Sequence, residues 1–233
     1  MQTPGMSPTV SMLERPVYGT SQAARLLDLP PDTVRRWVDG YTRAGIAYPP
    51  VIRDESTGDE LLTWGEFVEV GYLREYRRRR VSLQYLRPVI GTLRRRLGVR
   101  YPLAHARPFV ADRQLVLAVQ ESVGLVPELR MITVGDDEQL MLTPPAAAFF
   151  EKVEFDHGPR GAAERLFPFG RGARVVLDPD RSFGAPTVGH GVRTDILAEL
   201  VAAGESSMSI AVAYEVPVAD VRAAVAYERA RAA

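Results

Sequence analysis

The sequence predicts an α+β chain, helical at both ends with a β-rich stretch between. Three observations lead there. Residues 18–41 carry two short amphipathic helical patterns on either side of a proline-containing break. Residues 101–142 hold short apolar runs separated by polar, aspartate-containing turns. Residues 195–231 return to helical spacing, punctuated by Gly204, Ser206 and Pro217.

In the first helical pattern Ala23, Ala24, Leu26 and Leu27 form an inward face, with Thr20 or Ser21 at the capping position. Pro30 and Pro31 each lack a backbone donor and stop that helix, while Pro31 suits the first position of a second one. There Val34, Trp37, Val38 and Tyr41 recur at i, i+3, i+4 and i+7, and Thr33, Arg35 and Arg36 lie opposite. Two short helices, a sharp turn and a basic outer face make a helix-turn-helix pattern, whose second helix enters the major groove. A helical hairpin without a ligand has the same pattern.

Residues 51–53 and 61–64 are β-prone and flank a polar stretch with Gly58, so a hairpin is expected there as a wing beside the second helix. On this reading Thr33, Arg35 and Arg36 face DNA, with Arg25 and Arg53 on phosphates. A helix over residues 65–80 ends in Arg77, Arg78, Arg79 and Arg80, and a further helix spans residues 82–97 with Leu86, Ile90, Leu93 and Leu97 in one seam. That seam serves either a dimer interface or packing on the winged unit. Ten arginines between residues 74 and 100 stand against the single acid Glu75. Arg77 to Arg80 are therefore expected as further backbone contacts, with an acidic protein partner as the rival.

From residue 101 the expected texture is β. Residues 109–110 and 115–119 read as one hairpin, and 131–134 with 139–142 as a second. Asp136, Asp137 and Glu138 fit turn chemistry better than metal ligation. Residues 146–150 are a short helix or strand, and residues 156–172, rich in Gly, Pro and Arg, read as a linker. A strand over 174–177, an irregular glycine-rich segment and three helices ending near Arg231 form a second helix-turn-helix-like unit with few outward cations. The expected organisation is a disordered tail (1–14), a winged-helix DNA-binding domain with a helical extension (15–100), a β-rich middle (101–172) and a trihelical domain for protein binding or dimerisation (173–233).

Composition narrows the function. The formal net charge is +0 over 233 residues, yet residues 1–100 hold 16 basic against 11 acidic residues and the rest 13 against 18. A basic amino-terminal half favours a polyanion; an acidic remainder suits a basic protein. No cysteine is present, which rules out disulfides, thiolate zinc sites and cysteine nucleophiles and fits a cytoplasmic protein. No apolar run reaches the roughly 20 residues of a membrane span, and the first residues lack the features of a signal peptide. His105, His157 and His190 are far apart, with no HExxH pair, and no GxSxG or P-loop pattern occurs. Asp178 and Asp180 flank Pro179 as turn residues. A non-enzyme without metal or cofactor is expected.

Two stretches resemble known families. Residues 18–97 look like the winged helix-turn-helix of the MerR type, through residues 21–27 (SQAARLL), 32–37 (DTVRRW), 62–64 (LTW) and 81–87 (VSLQYLR). Residues 178–228 resemble the small domain of unknown function found in antitoxins paired with PIN-type toxins, through Asp178-Pro179, residues 183–186 (FGAP), 191–194 (GVRT), 203–206 (AGES) and 220–227 (DVRAAVAY). The combination looks like VapB-family antitoxins with an amino-terminal DNA-binding domain. That resemblance implies a homodimer that neutralises a PIN-domain ribonuclease toxin and represses its own operon by binding double-stranded operator DNA. The alternative is a stand-alone MerR-like transcriptional regulator whose middle region senses a ligand.

Overall fold

The computed structural model describes residues 11–78, 86–106, 109, 113–125, 130–134 and 140–232. The architecture is mixed helix and sheet, with small antiparallel sheets distributed along a mainly helical chain.

The chain opens with strand β1 (Pro16–Gly19), then helices α1 (Thr20–Leu26) and α2 (Pro31–Asp39). The side-chain cap expected for α1 is not made. Gly19 holds the N-cap position, and the Thr20 hydroxyl and amide both donate to the Glu60 carbonyl, at 2.9 Å each. This anchors the helix start to the incoming strand β4 (Leu61–Thr63), which pairs with β1 through Tyr18↔Leu62. Pro30 and Pro31 occupy the N-cap and first position of α2, as the chemistry of proline requires.

Helix α3 (Trp64–Arg78) is the centre of the molecule. Twelve of its fifteen residues are buried, so it is a core helix, not a one-faced surface helix. Two glycines make that packing possible. A Cβ at Gly71 would lie 2.0 Å from the Phe149 ring, and one at Gly65 would lie 2.4 Å from the Tyr101 ring. The ends of this core are fixed by polar groups: Trp64 Nε1 donates to the Ala163 carbonyl at 2.8 Å and Tyr18 Oη to that of Gly184 at 2.6 Å.

Helix α4 (Leu86–Leu97) lays Leu86, Ile90 and Leu93 into the same core, with Leu97 half-buried against it. The leucine seam therefore packs within the chain. Pro88 is the third residue of α4 as described; the residues before Leu86 lie outside the described residues.

The middle region departs from expectation. Residues 113–122 form helix α5 (Arg113–Ser122) in place of the second strand of a hairpin. Val116, Val119 and Gln120 recur at i, i+3 and i+4 and are buried, so helical periodicity prevails over the β-propensity of the valines. The second expected hairpin is formed by β5 (Ile132–Val134) and β6 (Leu140–Leu142), paired Ile132↔Leu142. Gln120 fixes β5: its amide donates to the Ile132 carbonyl at 2.9 Å and its oxygen accepts from Met131 N–H at 2.6 Å. The turn acids Asp136, Asp137 and Glu138 lie outside the described residues.

Helix α6 (Pro144–Phe150) leads into β7 (Val153–Phe155) and β8 (Ala163–Leu166). The stretch expected to be a linker thus supplies a strand. Behind it come β9 (Val176–Leu177), β10 (Pro186–Val188) and β11 (Val192–Arg193), and the five strands form one antiparallel sheet in the order β11-β10-β9-β8-β7. Glycine, proline and arginine suit a linker in isolation. Here Ala163 and Leu166, the two ends of β8, are buried against the larger core. Helices α7 (Thr194–Ala202), α8 (Ser207–Ala213) and α9 (Val218–Ala232) close the chain. Ser206 caps α8, accepting from Ser209 N–H at 3.0 Å.

Two apolar cores result. The larger runs from Leu13 to Leu177 around α3; the smaller joins Val175, Val188, Leu197, Ile210, Val221 and Tyr227. The five-stranded sheet spans both, passing from one to the other between Val175 and Leu177.

Candidate nucleic-acid interface

Helix α2 buries Val34, Trp37 and Val38, which turns Asp32, Arg35 and Arg36 to solvent and leaves Thr33 half-buried at the edge. Arg35 lies 3.4 Å from Asp32 with both side chains more than half exposed. Such a pair holds its guanidinium by less than about 1 kcal/mol, so Arg35 is available to an external anion.

Gly40, at φ 77, ends α2. Strands β2 (Tyr41–Arg43) and β3 (Ile46–Tyr48) follow at once as a hairpin, with all their residues exposed. Ala44 and Gly45 both have positive φ, the requirement of the tight two-residue turn that matches strand twist. Tyr41 and Tyr48 stack across the hairpin at 4.6 Å and 7°. The Arg36 guanidinium lies 5.3 Å from the Tyr41 ring centre, a cation–π contact that ties α2 to the hairpin. Arg43 stands at the hairpin tip.

The exposed hairpin is therefore at residues 41–48, not at 51–64. Residues 51–53 form no strand and are buried, while β4 pairs with β1. Tyr41, expected on the buried face of the second helix, lies beyond the Gly40 stop and opens β2 exposed to solvent. Arg43 and Tyr48 escaped the sequence reading, although the Ala44-Gly45 pair between two three-residue β-prone runs was the signal.

Arg53 is corrected more sharply. Its side chain is 4% exposed. Nε donates to Glu66 Oε1 at 2.8 Å and Nη2 to Oε2 at 3.2 Å, while further donors reach the carbonyls of Asp59 and Leu61 at 3.0 and 2.9 Å. With its donors consumed inside the protein, Arg53 is an internal tie and not a phosphate contact. Asp39 joins the same network, accepting from Thr57 and Gly58 N–H at 2.6 and 3.1 Å. Burial works to raise its carboxyl, but these amides and Arg53 outweigh it and hold Asp39 below its usual range.

A second buried acid lies one turn on. Glu69 is fully buried, accepts from Leu103 N–H at 3.0 Å, and has Arg94 at 3.8 Å. Desolvation dominates over Arg94 and the amide, pushing Glu69 up to about 8. Arg94 also bonds the carbonyls of Ile52 and Arg100, and Arg87 bonds those of Pro50 and Pro49 at 3.0 and 2.8 Å. Arg87 and Arg94 of the arginine cluster thus work inside the fold, whereas Arg77, Arg78, Arg95, Arg96 and Arg100 are exposed.

Arg77 and Arg78 are exposed at the end of α3, with Arg78 3.3 Å from Asp28; Arg79 and Arg80 lie outside the described residues. Arg25 is exposed on α1 and lines two clefts against α9. The structure thus brings Thr33, Arg35 and Arg36 onto one face beside the hairpin, and turns Arg25 and Arg78 to a different cleft. Among the described residues no group of three His, Asp or Glu side chains is arranged to hold a metal ion, and no helix is long and apolar enough to cross a membrane.

Comparison with known proteins bears on the whole chain. Residues 175–227 match the family described as a protein of unknown function, DUF433. The crystal structure of Rv2018 from Mycobacterium tuberculosis superposes with a TM-score of 0.72 at 24% identity, covering 92% of this chain and 99% of that one, and so shares the fold. The uncharacterized protein Rv2308 of M. tuberculosis is 35% identical over 230 residues, spanning 94% of this chain and 92% of its own. The protein named putative antitoxin VapB45, from the same organism, is 30% identical over 216 residues, spanning 86% of this chain and 89% of its own. Near end-to-end similarity at these identities places the chain in the protein family that contains Rv2308 and the putative antitoxin VapB45 of M. tuberculosis.

Proposed function

We propose that this protein is the DNA-binding antitoxin of a toxin–antitoxin pair, neutralising a PIN-domain ribonuclease and repressing its own operon as a homodimer. The observation that carries the reading is the relation over 89% of the length of the protein named putative antitoxin VapB45. Its DNA-binding half rests on α1 and α2 acting as a helix-turn-helix of the MerR type, with the hairpin at residues 41–48 as the wing. Thr33, Arg35 and Arg36 would meet base edges and phosphates in the major groove, and Arg43 would reach the backbone beside it. Arg25, Arg77 and Arg78 remain candidates for outer phosphates of a bent duplex.

The toxin would be held by the carboxy-terminal unit. Phe183, Ile196, Met208 and Val212 are exposed there, at 93%, 37%, 64% and 74%. Apolar side chains this open are the usual material of a protein interface. Neutralisation by covering an active site requires no catalytic group of this chain.

Two assays test the proposal. Duplex DNA from upstream of the gene should bind the full-length protein with strong salt dependence, and the adjacent reading frame should encode a PIN-domain protein whose toxicity is relieved by co-expression. Loss of growth rescue together with absence of a PIN-domain neighbour favours the second reading, a stand-alone regulator. That reading draws on the basic cleft described next.

A further inference from the structure

A cavity of about 400 Å³ opens between α1, the end of α3, the loop after β8 and the end of α9. Its walls come from both cores, and it has the size of a small-molecule site. Five cations line it, Arg25, Arg74, Arg78, Lys152 and Arg231, against one lining acid, Asp28; Glu75 behind the wall pairs with Arg74 at 3.1 Å and lies 4.0 Å from Arg78, which leaves the cations in excess. Like charges gathered in a concave site repel one another unless an anion offsets them. Asp28 already shows the convergence: one of its oxygens accepts from both Arg74 Nη2 at 3.2 Å and Arg78 Nη2 at 3.3 Å. Asp28 sits at φ 50, a left-handed conformation that only a few non-glycine residues tolerate.

Donors are left over. The Nε–H groups of Arg74 and Arg231 are buried without an acceptor, and the side chains of Lys152 and Arg25 make no hydrogen bond or ion pair among the described residues. The other wall is aromatic. Phe169, 60% exposed, meets the Tyr227 ring edge-on at 5.7 Å, and the Arg231 guanidinium covers the Tyr227 ring at 5.1 Å. The adjoining cleft sets Arg25, Arg193 and Arg231 against Asp195 and Glu228, so the charge excess is larger in the first.

We propose that this cleft binds a small phosphorylated molecule carrying a planar ring, the chemistry of a free nucleotide, with its phosphates on Arg74, Arg78 and Lys152 and its ring against Phe169. Guanidinium forks and a lysine suit phosphate oxygens, and an exposed phenyl face suits a base. A DNA backbone carries the same phosphate chemistry but spreads it along a surface, whereas these cations converge on a pocket of one small molecule's volume. The inference uses none of the residues of the α2–hairpin face or the exposed apolar side chains; it competes with the antitoxin reading only for Arg25 and Arg78 as outer phosphate contacts, which is why a duplex is among the comparison ligands.

The test is calorimetric titration of the full-length protein with ATP, ADP and GTP. Adenosine, inorganic phosphate and a short duplex are the comparison ligands, all at matched ionic strength. Saturable nucleotide binding is expected, with adenosine and inorganic phosphate each at least about tenfold weaker. Lys152→Glu and, separately, the exposed Arg78→Gln should each weaken nucleotide binding about tenfold or more. Phe169→Ala should weaken nucleotide but not phosphate. Circular dichroism checks that each variant is folded, and Arg78→Gln decides the matter if Lys152→Glu is not. The proposal is overturned by absence of saturable nucleotide binding, by equal binding of inorganic phosphate, or by folded variants that bind as the wild type does. It is equally overturned if the duplex alone depends on Lys152 and Arg78.

Discussion

The arginines of α2 and those packed around α3 are one residue type in opposite physical states. Arg35 and Arg36 stand in water, held by a loose pair with Asp32 and by the Tyr41 ring. Arg53 and Arg94 are 4% and 11% exposed; Arg53 bonds Glu66, Arg94 lies 3.8 Å from Glu69, and both donate to backbone carbonyls. The first set can neutralise a polyanion; the second set neutralises the protein's own core. A count of basic residues merges them, and burial separates them. Burial of one partner dictates the other: the acids of α3 are carried inside by their apolar neighbours, and arginines from distant segments must follow.

The comparison breaks most visibly at the buried pair. Arg53→Met strands the Glu66 carboxylate in the core and should cost about 3–5 kcal/mol in urea denaturation. A cost under about 1 kcal/mol would mean that water reaches Glu66 and that Arg53 is not an internal tie. Next in size is Gly71→Ala, whose new methyl meets the Phe149 ring. Thermal unfolding should show a loss of about 1–3 kcal/mol, and an unchanged midpoint would contradict the packing of α3 on α6.

Glu69 sharpens the comparison through pH. Its carboxyl is raised from 4.5 to about 8, so between those values the folded protein holds a proton that the unfolded chain has released. Stability from this group is fully present below pH 4.5 and is lost as pH rises through about 8. Wild-type protein should therefore lose stability across that window, and Glu69→Gln should flatten the profile. A profile unchanged by the substitution would show that Glu69 is ionised throughout. The smallest effect belongs to the exposed set: Arg35→Ala should change stability by no more than about 0.5 kcal/mol, measured by the same denaturation.

The legible parts of the sequence are those where local chemistry and tertiary packing agree. Pro30-Pro31, the Val34-Trp37-Val38 stripe and the Ser206 cap each set the local structure they suggest. Ile132 and Leu142 form the expected hairpin for the same reason. Residues 113–122 misled because Val116 and Val119 have β-propensity, while the spacing of Val116, Val119 and Gln120 is helical. Residues 156–172 misled because their composition suits a linker and their strand is set by partners distant in sequence, Val153 and Leu177 against Leu166. The misplaced hairpin has a related cause. Val51 and Ile52 are β-prone, yet their amides both bond the Trp37 carbonyl, at 2.8 and 2.9 Å, and this docks them under α2. The basic cleft was not legible at all. Arg25, Arg78, Lys152 and Arg231 are spread over some two hundred residues, and only the tertiary fold brings them to the walls of one cleft.

The central claim is that the face made by α2 and the hairpin reads DNA while the carboxy-terminal unit serves a different partner. The most direct measurement is fluorescence anisotropy of Arg36→Glu with duplex DNA from upstream of the gene, run beside growth rescue by the same variant co-expressed with the adjacent toxin gene. Two orders of magnitude or so should be lost in DNA affinity, with thermal stability and growth rescue unchanged. Wild-type DNA affinity in a folded Arg36→Glu protein, or loss of DNA binding and growth rescue together, would contradict the claim.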